Sequence, residues 1–325
     1  MSVTDPRGLA EFANETSERG EWVRQESRFR DWIHADGTAP FPAETGRYHL
    51  YVSSACPWAH RAIIMRRLKG LEDAIGMTIV DPERDERGWE FRDGPGHSTD
   101  PVNGFRFLME AYTQSDPSFD GRASTPVIWD TQSGRIVNNE SGDVIRILNA
   151  EFDAWAKHPE RDFFPEALRE QVELVNARVY DTVNNGVYRC GFSTTQQAYD
   201  EAFDELFESL DWLEGRLSGQ RYLVGEQLTE ADLRLFVTLL RFDPVYYNHF
   251  KTNKRRIEDF PNLSNYLREL YQLPGVRDTV NMDHIKRHYF RTHPHINPTR
   301  IVPRGPDLDY DAPHDRERLP GRPLG

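Results

Sequence analysis

The sequence SSACPWAH, residues 53–60, indicates how the first half of the chain folds. The stretch YHLYVS, residues 48–53, is rich in aromatic and β-branched residues, which favour a β-strand. The stretch PWAHRAIIMRRLK, residues 57–69, has apolar residues at helical spacing and ends at Gly70. Proline suits the first position of a helix, so the pattern places Cys56 at the N-terminus of a helix that follows a strand.

The position of Cys56 predicts a reactive thiol. The unpaired N–H groups and the dipole at a helix N-terminus favour the thiolate, which is the nucleophilic form. The alternative is a buried structural cysteine that does not react. Ala59 occupies the third position after Cys56, so no resolving cysteine follows. We therefore expect a monothiol site that completes its cycle with a second thiol from solution.

The remaining elements of the first half are predicted from short patterns. A second strand is expected at 75–80, and a long irregular stretch with several prolines and glycines at 81–122. Two strands at 126–130 and 135–138, joined by a Ser133-Gly134 turn, and a helix from about residue 140 to 148 complete the unit. The order is β-α-β, a long insertion, then β-β-α.

Two other short segments favour ligand binding near Cys56. Pro126 opens a strand, where a cis bond would present the backbone of Ser124 and Thr125 to a peptide unit of a ligand. Ser141 precedes a helix, so its hydroxyl and the free N–H groups there could hold a carboxylate, and Glu140 could take an amine. With Cys56, these segments predict a site for a γ-glutamyl thiol.

The second half of the chain has a helical pattern. An apolar stripe runs from 198 to 217, a capping box formed by Thr229 and Asp232 starts another helix, and a further helix spans 261–273. The polar first residues and the proline-rich last residues predict an extended arm and tail. We divide the chain into an arm (1–47), an α/β domain (48–155) with the 81–122 insertion, an all-helical domain (160–290) and a tail (291–325).

Composition excludes several function classes. The formal net charge of −13 opposes binding to nucleic acid and to anionic lipid. No apolar run approaches the roughly 18 residues of a membrane span, and the first residues, MSVTDP, lack the features of a signal peptide. Two cysteines cannot build a disulfide framework, which fits a cytoplasmic location. The acidic, lysine-poor composition fits either a salt-rich cytoplasm or a high-GC codon bias.

Two clusters have an ordinary and a functional interpretation. His284 and His288 lie four residues apart on a predicted helix, with His293 and His295 beyond, but no carboxylate stands at the spacing of a catalytic zinc motif. We expect no metal site. The basic run KTNKRR, residues 251–256, is expected to be a solvated loop rather than a nucleic-acid patch.

Seven segments resemble the xi-class glutathione transferases, which are glutathionyl-hydroquinone reductases. In order along residues 48 to 300 they are SACPWAHR (54–61), GWEF (88–91), TPVIWD (125–130), IVNNES (136–141), NNGVY (184–188), RFDPVY (241–246) and IKRHY (285–289). The resemblance implies a thioredoxin-like α/β N-terminal domain, an all-α glutathione-transferase C-terminal domain and a homodimer.

The resemblance also implies the roles of individual residues. Cys56 is the implied nucleophile, and Tyr188, Tyr246 and Tyr289 would line the pocket for an aromatic substrate. The residues that would hold the thiol cosubstrate are Trp89, Arg122, Ala123, Ser124, Thr125, Pro126, Glu140 and Ser141. Cys190 departs from the expected small or hydroxyl residue, and is either a redox partner of Cys56 or a passive core cysteine.

The predicted function is a thiol-dependent reductase. It would remove glutathione, or a related γ-glutamyl thiol, from glutathionyl-hydroquinones through a mixed disulfide on Cys56. The alternatives are a conjugating transferase or dehalogenase, which would normally activate the thiol with a hydroxyl, and a non-catalytic binding domain, which would have no need of Cys56. The natural quinone, the natural thiol and the dimer geometry stay open.

Overall fold

The computed structural model describes residues 15–322 and 324, which fall into two compact units. The first unit contains Gln25–Asp162 and Thr279–Ile301, and the second contains 15–24, Phe163–Asp278 and 302–322. Residues 1–14 of the predicted arm and residues 323 and 325 of the predicted tail lie outside the described part of the chain.

The first unit is built on a four-stranded mixed sheet. Its strands and helices are β1 (Tyr48–Val52), α1 (Pro57–Lys69), β2 (Gly76–Ile79), α2 (Leu108–Ser115), β3 (Val127–Asp130), β4 (Arg135–Asn138), α3 (Ser141–Ala150) and α10 (Met282–Thr292). The strand order is β2-β1-β3-β4, with β1 parallel to β2 and β3 antiparallel to both of its neighbours. The predicted thioredoxin-like fold is confirmed.

The strand and helix that flank Cys56 form where the sequence predicts them. All five residues of β1 are buried, as expected for a central strand. Helix α1 has Pro57 at its first position and stops at Gly70, whose φ of 67° lies in the left-handed region. A Cβ at Gly70 would lie 2.6 Å from Cβ of Lys157, so this stop needs glycine for space as well as for conformation.

The stretch 81–122 is not wholly irregular, because it contains α2. Glu110 accepts hydrogen bonds from the backbone N–H groups of Arg106 and Phe107 at 2.9 and 2.8 Å, which stabilises the start of this helix. Leu108 and Tyr112 point into the core and are fully buried. The prediction of a structureless insertion was wrong here because the prolines and glycines around the helix obscured a short amphipathic pattern.

The second unit is helical. Its helices are α4 (Arg169–Val179), α5 (Gly186–Phe192), α6 (Gln196–Gly219), α7 (Glu230–Arg241), α8 (Tyr247–His249) and α9 (Pro261–Gln272). The capping box predicted at the start of α7 is present, with the Thr229 backbone N–H donating to Asp232 at 2.8 Å. Two π-helical segments, Tyr180–Asn184 and Phe242–Tyr246, interrupt the regular helices.

Helix α10 packs with the sheet unit. His284 Nε2 lies 2.7 Å from the Pro95 carbonyl oxygen, and His288 Nδ1 lies 2.8 Å from that of Pro82. This differs from the predicted boundaries, which place residues 282–290 in the helical domain. Helical periodicity shows that a segment is a helix but not which body it packs against. Among the described residues, we find no helix with the length and apolar character that a bilayer crossing needs.

Candidate active site

Cys56 lies directly before α1, in extended backbone conformation. Its own backbone N–H donates to the Ser53 carbonyl at 3.2 Å, and its carbonyl accepts the first helical bond from His60 at 2.9 Å. The side chain does not cap the helix but points to the Thr125 carbonyl oxygen, 3.5 Å from Sγ. Cys56 is half-buried, so the sulfur is both positioned and reachable.

The Thr125 carbonyl belongs to a backbone segment that the surrounding side chains hold in place. The Thr125–Pro126 peptide bond is cis. The Tyr112 hydroxyl donates to the Ser124 carbonyl at 2.8 Å and accepts from the Ser124 N–H at 3.1 Å. Tyr112 is fully buried, and burial raises the pKa of its phenol, so the hydroxyl stays protonated as a donor.

Gln25, in the arm, holds the residues just before Ser124 in place. The side-chain amide of Gln25 donates to the Arg122 carbonyl at 3.3 Å and accepts from the Arg122 N–H at 2.8 Å. Ala123 is buried in the core cluster between these two anchors. Residues 122–126 are predicted from the sequence, whereas Gln25 and Tyr112 are not, because they lie outside this segment and show no local pattern that points to it.

Glu140 and Ser141 form the N-terminus of α3. One carboxylate oxygen of Glu140 accepts from the Gly142 N–H at 3.2 Å, and the other accepts from the Ser27 hydroxyl at 2.8 Å. The Ser141 hydroxyl is buried and accepts a hydrogen bond from Arg61 at 3.3 Å. A negative carboxylate and a hydroxyl therefore stand side by side at a positive helix end.

Arg61 links this helix end to α1. It is 1 % exposed, and its guanidinium lies 4.5 Å from the centre of the Trp58 ring. Its hydrogen bond to Ser141 joins the helix that begins after Cys56 to the N-terminus of α3. The sequence showed Arg61 only as part of a resembling segment and gave it no role.

Trp89 is buried on the same unit, between a histidine and an arginine. Its ring stacks on His288 at 4.9 Å with an interplanar angle of 23°, and the Arg84 guanidinium lies 5.0 Å from its centre. The indole Nε1 is buried and has no hydrogen-bond partner among the described residues. Buried donors are normally satisfied, so an unmatched one in a predicted binding site favours a ligand acceptor.

The three predicted substrate tyrosines do not all belong to one unit. Tyr289 lies on α10 in the first unit, buried beside His288 with ring centres 5.2 Å apart. Tyr188 and Tyr246 lie in the helical unit, with ring centres 6.0 Å apart. One π-helical segment shortly precedes Tyr188 and the other ends at Tyr246. Such segments are frequent at functional sites.

Cys190 has the properties of a core residue. It is 3 % exposed, and burial raises the pKa of its thiol to about 12. A thiol with that pKa stays protonated at neutral pH and is a poor redox partner. Within the described part of the chain, no group of three or more histidine, cysteine or carboxylate residues has the arrangement of a metal site.

The fold and the site together define a class. The first unit has a small mixed sheet, a cysteine at the start of its first helix and a strand that begins after a cis-proline, and the second unit is helical. These are the parts of a glutathione transferase. The protein-family model of the glutathione S-transferase N-terminal domain matches residues 55–151, and the family model of the C-terminal domain matches residues 196–269.

Comparison with similar proteins shows which class of glutathione transferase this chain resembles. The chain is 51% identical to glutathionyl-hydroquinone reductase YqjG of Escherichia coli over 92% of this chain and 93% of that protein, and 50% identical to PcpF of Sphingobium chlorophenolicum, over 89% and 91%. The structure of a xi-class transferase from Natrialba magadii superposes with a TM-score of 0.88 at 51% identity, covering 90% of this chain and 89% of that one. The glutathione-bound structure of YqjG superposes with a TM-score of 0.86 at 51% identity, covering 92% of this chain and 98% of that one.

The chain therefore belongs to the glutathionyl-hydroquinone reductases, the xi class of glutathione transferases. It is an enzyme with the glutathione transferase fold. The family prediction made from the seven segments is confirmed, whereas the roles of individual residues stay predictions.

Proposed function

We propose that this protein reduces glutathionyl-hydroquinones with a small thiol, releasing the hydroquinone and the oxidised thiol. The observation that carries the proposal is the placement of Cys56, which stands at the N-terminus of α1 with Sγ 3.5 Å from the Thr125 carbonyl. Relatives that are about half identical over most of their length bear the name of this activity.

The thiol cosubstrate is expected to bind in an extended conformation along the first unit. Its γ-glutamyl carboxylate fits the Ser141 hydroxyl and the α3 N-terminus, and its amine fits the Glu140 carboxylate. We expect the cysteinyl peptide unit to bind the backbone of Thr125. The unmatched indole N–H of Trp89 is a donor for an oxygen elsewhere on the thiol or on the adduct.

The first chemical step removes the thiol from the ring. Direct attack on the ring-bound sulfur would expel an aryl carbanion, which is a very poor leaving group. If a hydroxyl proton first moves to the carbon that carries sulfur, the ring becomes a ketone. The Cys56 thiolate then attacks the sulfur, the carbon–sulfur bond breaks, and the electron pair restores the aromatic ring as a phenolate. The phenolate takes a proton, and Cys56 holds the mixed disulfide.

The second step regenerates the enzyme. A second thiolate attacks the outer sulfur of the mixed disulfide, so Cys56 leaves as a thiolate and the oxidised thiol is released. One adduct and one thiol give one hydroquinone and one disulfide, so the ring gains the two electrons that the two thiols lose. No resolving cysteine is required.

Tyr188, Tyr246 and Tyr289 are the residues we assign to the aromatic substrate. Tyrosine hydroxyls can deliver the proton that forms the keto tautomer and can stabilise the developing phenolate. Tyr188 is the first choice as acid because it is half-exposed, whereas Tyr246 and Tyr289 are buried. The thiol is glutathione or a γ-glutamyl relative of it. The homodimer and the cytoplasmic location stay predictions.

The test of this proposal replaces each cysteine separately. Cys56→Ser is expected to leave less than roughly a tenth of the reductase rate, because a hydroxyl offers no thiolate at neutral pH. Cys190→Ala is the matched control and is expected to keep the rate, since its thiol stays protonated. Steady-state release of hydroquinone from a glutathionyl-hydroquinone measures both. Retained activity in Cys56→Ser would overturn the nucleophile assignment.

A further inference from the structure

Residues 15–24, which we call the N-terminal strap, lie on the helical unit beside Tyr188. The strap folds back on itself, with the Val23 N–H donating to the Glu15 carbonyl at 2.8 Å. It is tied to the chain just before α6 by the Thr194 N–H, which donates to the Gly20 carbonyl at 2.9 Å, and by the Thr195 hydroxyl, which donates to the Arg19 carbonyl at 2.8 Å. These bonds fix the strap on its own unit.

Gly20 is required for this close approach. Its φ is 82°, in the left-handed region that favours glycine. A Cβ at this position would lie 2.6 Å from Cγ2 of Thr195 and 2.7 Å from Oγ1 of Thr194. A larger residue would therefore push the strap away from α6 by steric overlap and by backbone strain together.

The strap carries Trp22, whose ring lies against one face of Tyr188. The two rings stack with centres 5.4 Å apart and an interplanar angle of 27°. Trp22 is 7 % exposed, and its indole N–H donates to the buried Glu15 carboxylate at 3.1 Å, which fixes the ring in its plane. Tyr246 and Phe250 flank α8, and the centres of their rings lie 6.0 and 5.3 Å from that of the same tyrosine ring.

Trp22 also forms one wall of a polar cavity of about 480 Å³. Asn185 and Arg189, which lie on either side of Tyr188 in the sequence, line this cavity together with Asp181. The indole therefore contacts both the Tyr188 ring and a space that water can fill.

We propose that Trp22 is a positioning residue for the reduction, which holds the Tyr188 phenol in one orientation and keeps cavity water from it. The inference rests on the proposed role of Tyr188 as the acid that protonates the quinone adduct. A general acid must lie within hydrogen-bond reach of the atom it protonates, and small misplacements of a reacting group are costly in rate. Exchange of Cys56 with a simple disulfide needs no such acid.

The experiment compares four variants on two substrates. Trp22→Ala removes the covering ring, Trp22→Phe keeps a stacking ring, and Gly20→Ala displaces the strap without touching the indole. Trp32→Ala is the matched control, because Trp32 also lies in the arm but donates to Glu151 in the sheet unit. Each variant is assayed for kcat with a glutathionyl-hydroquinone and for exchange with 2-hydroxyethyl disulfide. Tyr188 accessibility is measured by nitration with tetranitromethane and peptide mass spectrometry.

Trp22→Ala and Gly20→Ala are expected to lower kcat on the quinone adduct about tenfold or more while disulfide exchange stays within about twofold. Nitration of Tyr188 rises several-fold in both. Trp22→Phe recovers most of the lost rate, and Trp32→Ala changes neither reaction. Equal losses on both substrates, or unchanged nitration of Tyr188 in Trp22→Ala, would overturn the inference.

A Tyr188→Phe variant separates this inference from the proposed function. If Tyr188→Phe keeps the full rate on the adduct, the acid role of Tyr188 is wrong and the inference about Trp22 falls with it, while the Cys56 chemistry stands. If Tyr188→Phe loses rate and Trp22→Ala does not, only the inference about Trp22 fails.

Discussion

We predict that acidification lowers the free energy of unfolding of this protein. The cause is His49, which is buried in β1, the strand that precedes Cys56. This residue lies in β1, 8 % exposed, with Nε2 2.8 Å from the Thr78 hydroxyl. It pairs with Gly76, where an added Cβ would lie 2.4 Å from the His49 ring. Burial lowers the pKa of His49 from 6.5 to about 4, because the charged imidazolium loses its hydration.

The direction of this pH effect depends on whether the folded or the unfolded state binds the His49 proton more tightly. Unfolded chains protonate His49 as the pH falls through 6.5, whereas the folded state does so only near pH 4, so acidification favours unfolding. At pH 5 the unfolded side chain is almost fully protonated and the folded one only about a tenth. Between pH 7 and pH 5 this difference removes about 2 kcal/mol of stability.

The matched variant is His49→Gln, which keeps a polar group for Thr78 and does not titrate. Unfolding free energies of both proteins are measured by denaturant titration at pH 7 and pH 5, so contributions of other groups cancel in the double difference. We expect the wild-type protein to lose about 2 kcal/mol more than the variant on acidification. Losses equal within about 0.5 kcal/mol would refute the reasoning that His49 is buried as the neutral imidazole.

Three further predictions concern the site. Glu140→Gln should raise KM for the thiol roughly tenfold or more, because it removes a charge-assisted bond worth about 1.5–3 kcal/mol while the amide oxygen still caps α3; an unchanged KM would remove Glu140 from amine binding. Tyr188→Phe should slow reduction of the quinone adduct far more than disulfide exchange, and equal losses would leave it a packing residue. γ-Glutamylcysteine should support turnover within about tenfold of glutathione, since the missing contact is worth roughly 1.4 kcal/mol or less. Absence of turnover would mean that a residue outside the assigned thiol site recognises the glycine end.

Local signals made the region around Cys56 predictable. Pro57 and Gly70 mark the two ends of α1, and β-branched and aromatic residues mark β1, so strand, cysteine and helix follow from a short stretch of sequence. The capping box of α7 was found in the same way. Each of these features is determined by residues within a few positions of one another.

The remaining parts depend on contacts between distant positions. Gln25 is hydrogen-bonded to Arg122, 97 residues away, and Ser27 is hydrogen-bonded to Glu140, 113 residues away. Neither contact produces a periodic pattern in the sequence. The same holds for α10, whose helical character was visible but whose packing partner was not. Sequence resemblance named the tyrosines, whereas the stacking of Trp22 on Tyr188 emerged only from the structure.

The central claim is that Cys56 takes the thiol directly from the quinone adduct, and a single-turnover measurement tests it most directly. The protein is mixed with excess glutathionyl-hydroquinone in the absence of free thiol, and released hydroquinone and intact protein mass are followed together. We predict one equivalent of hydroquinone per chain and a gain of about 305 Da in the mass of the intact protein, reversed by added thiol. Continued turnover without thiol, or the same release from Cys56→Ser, would contradict the claim.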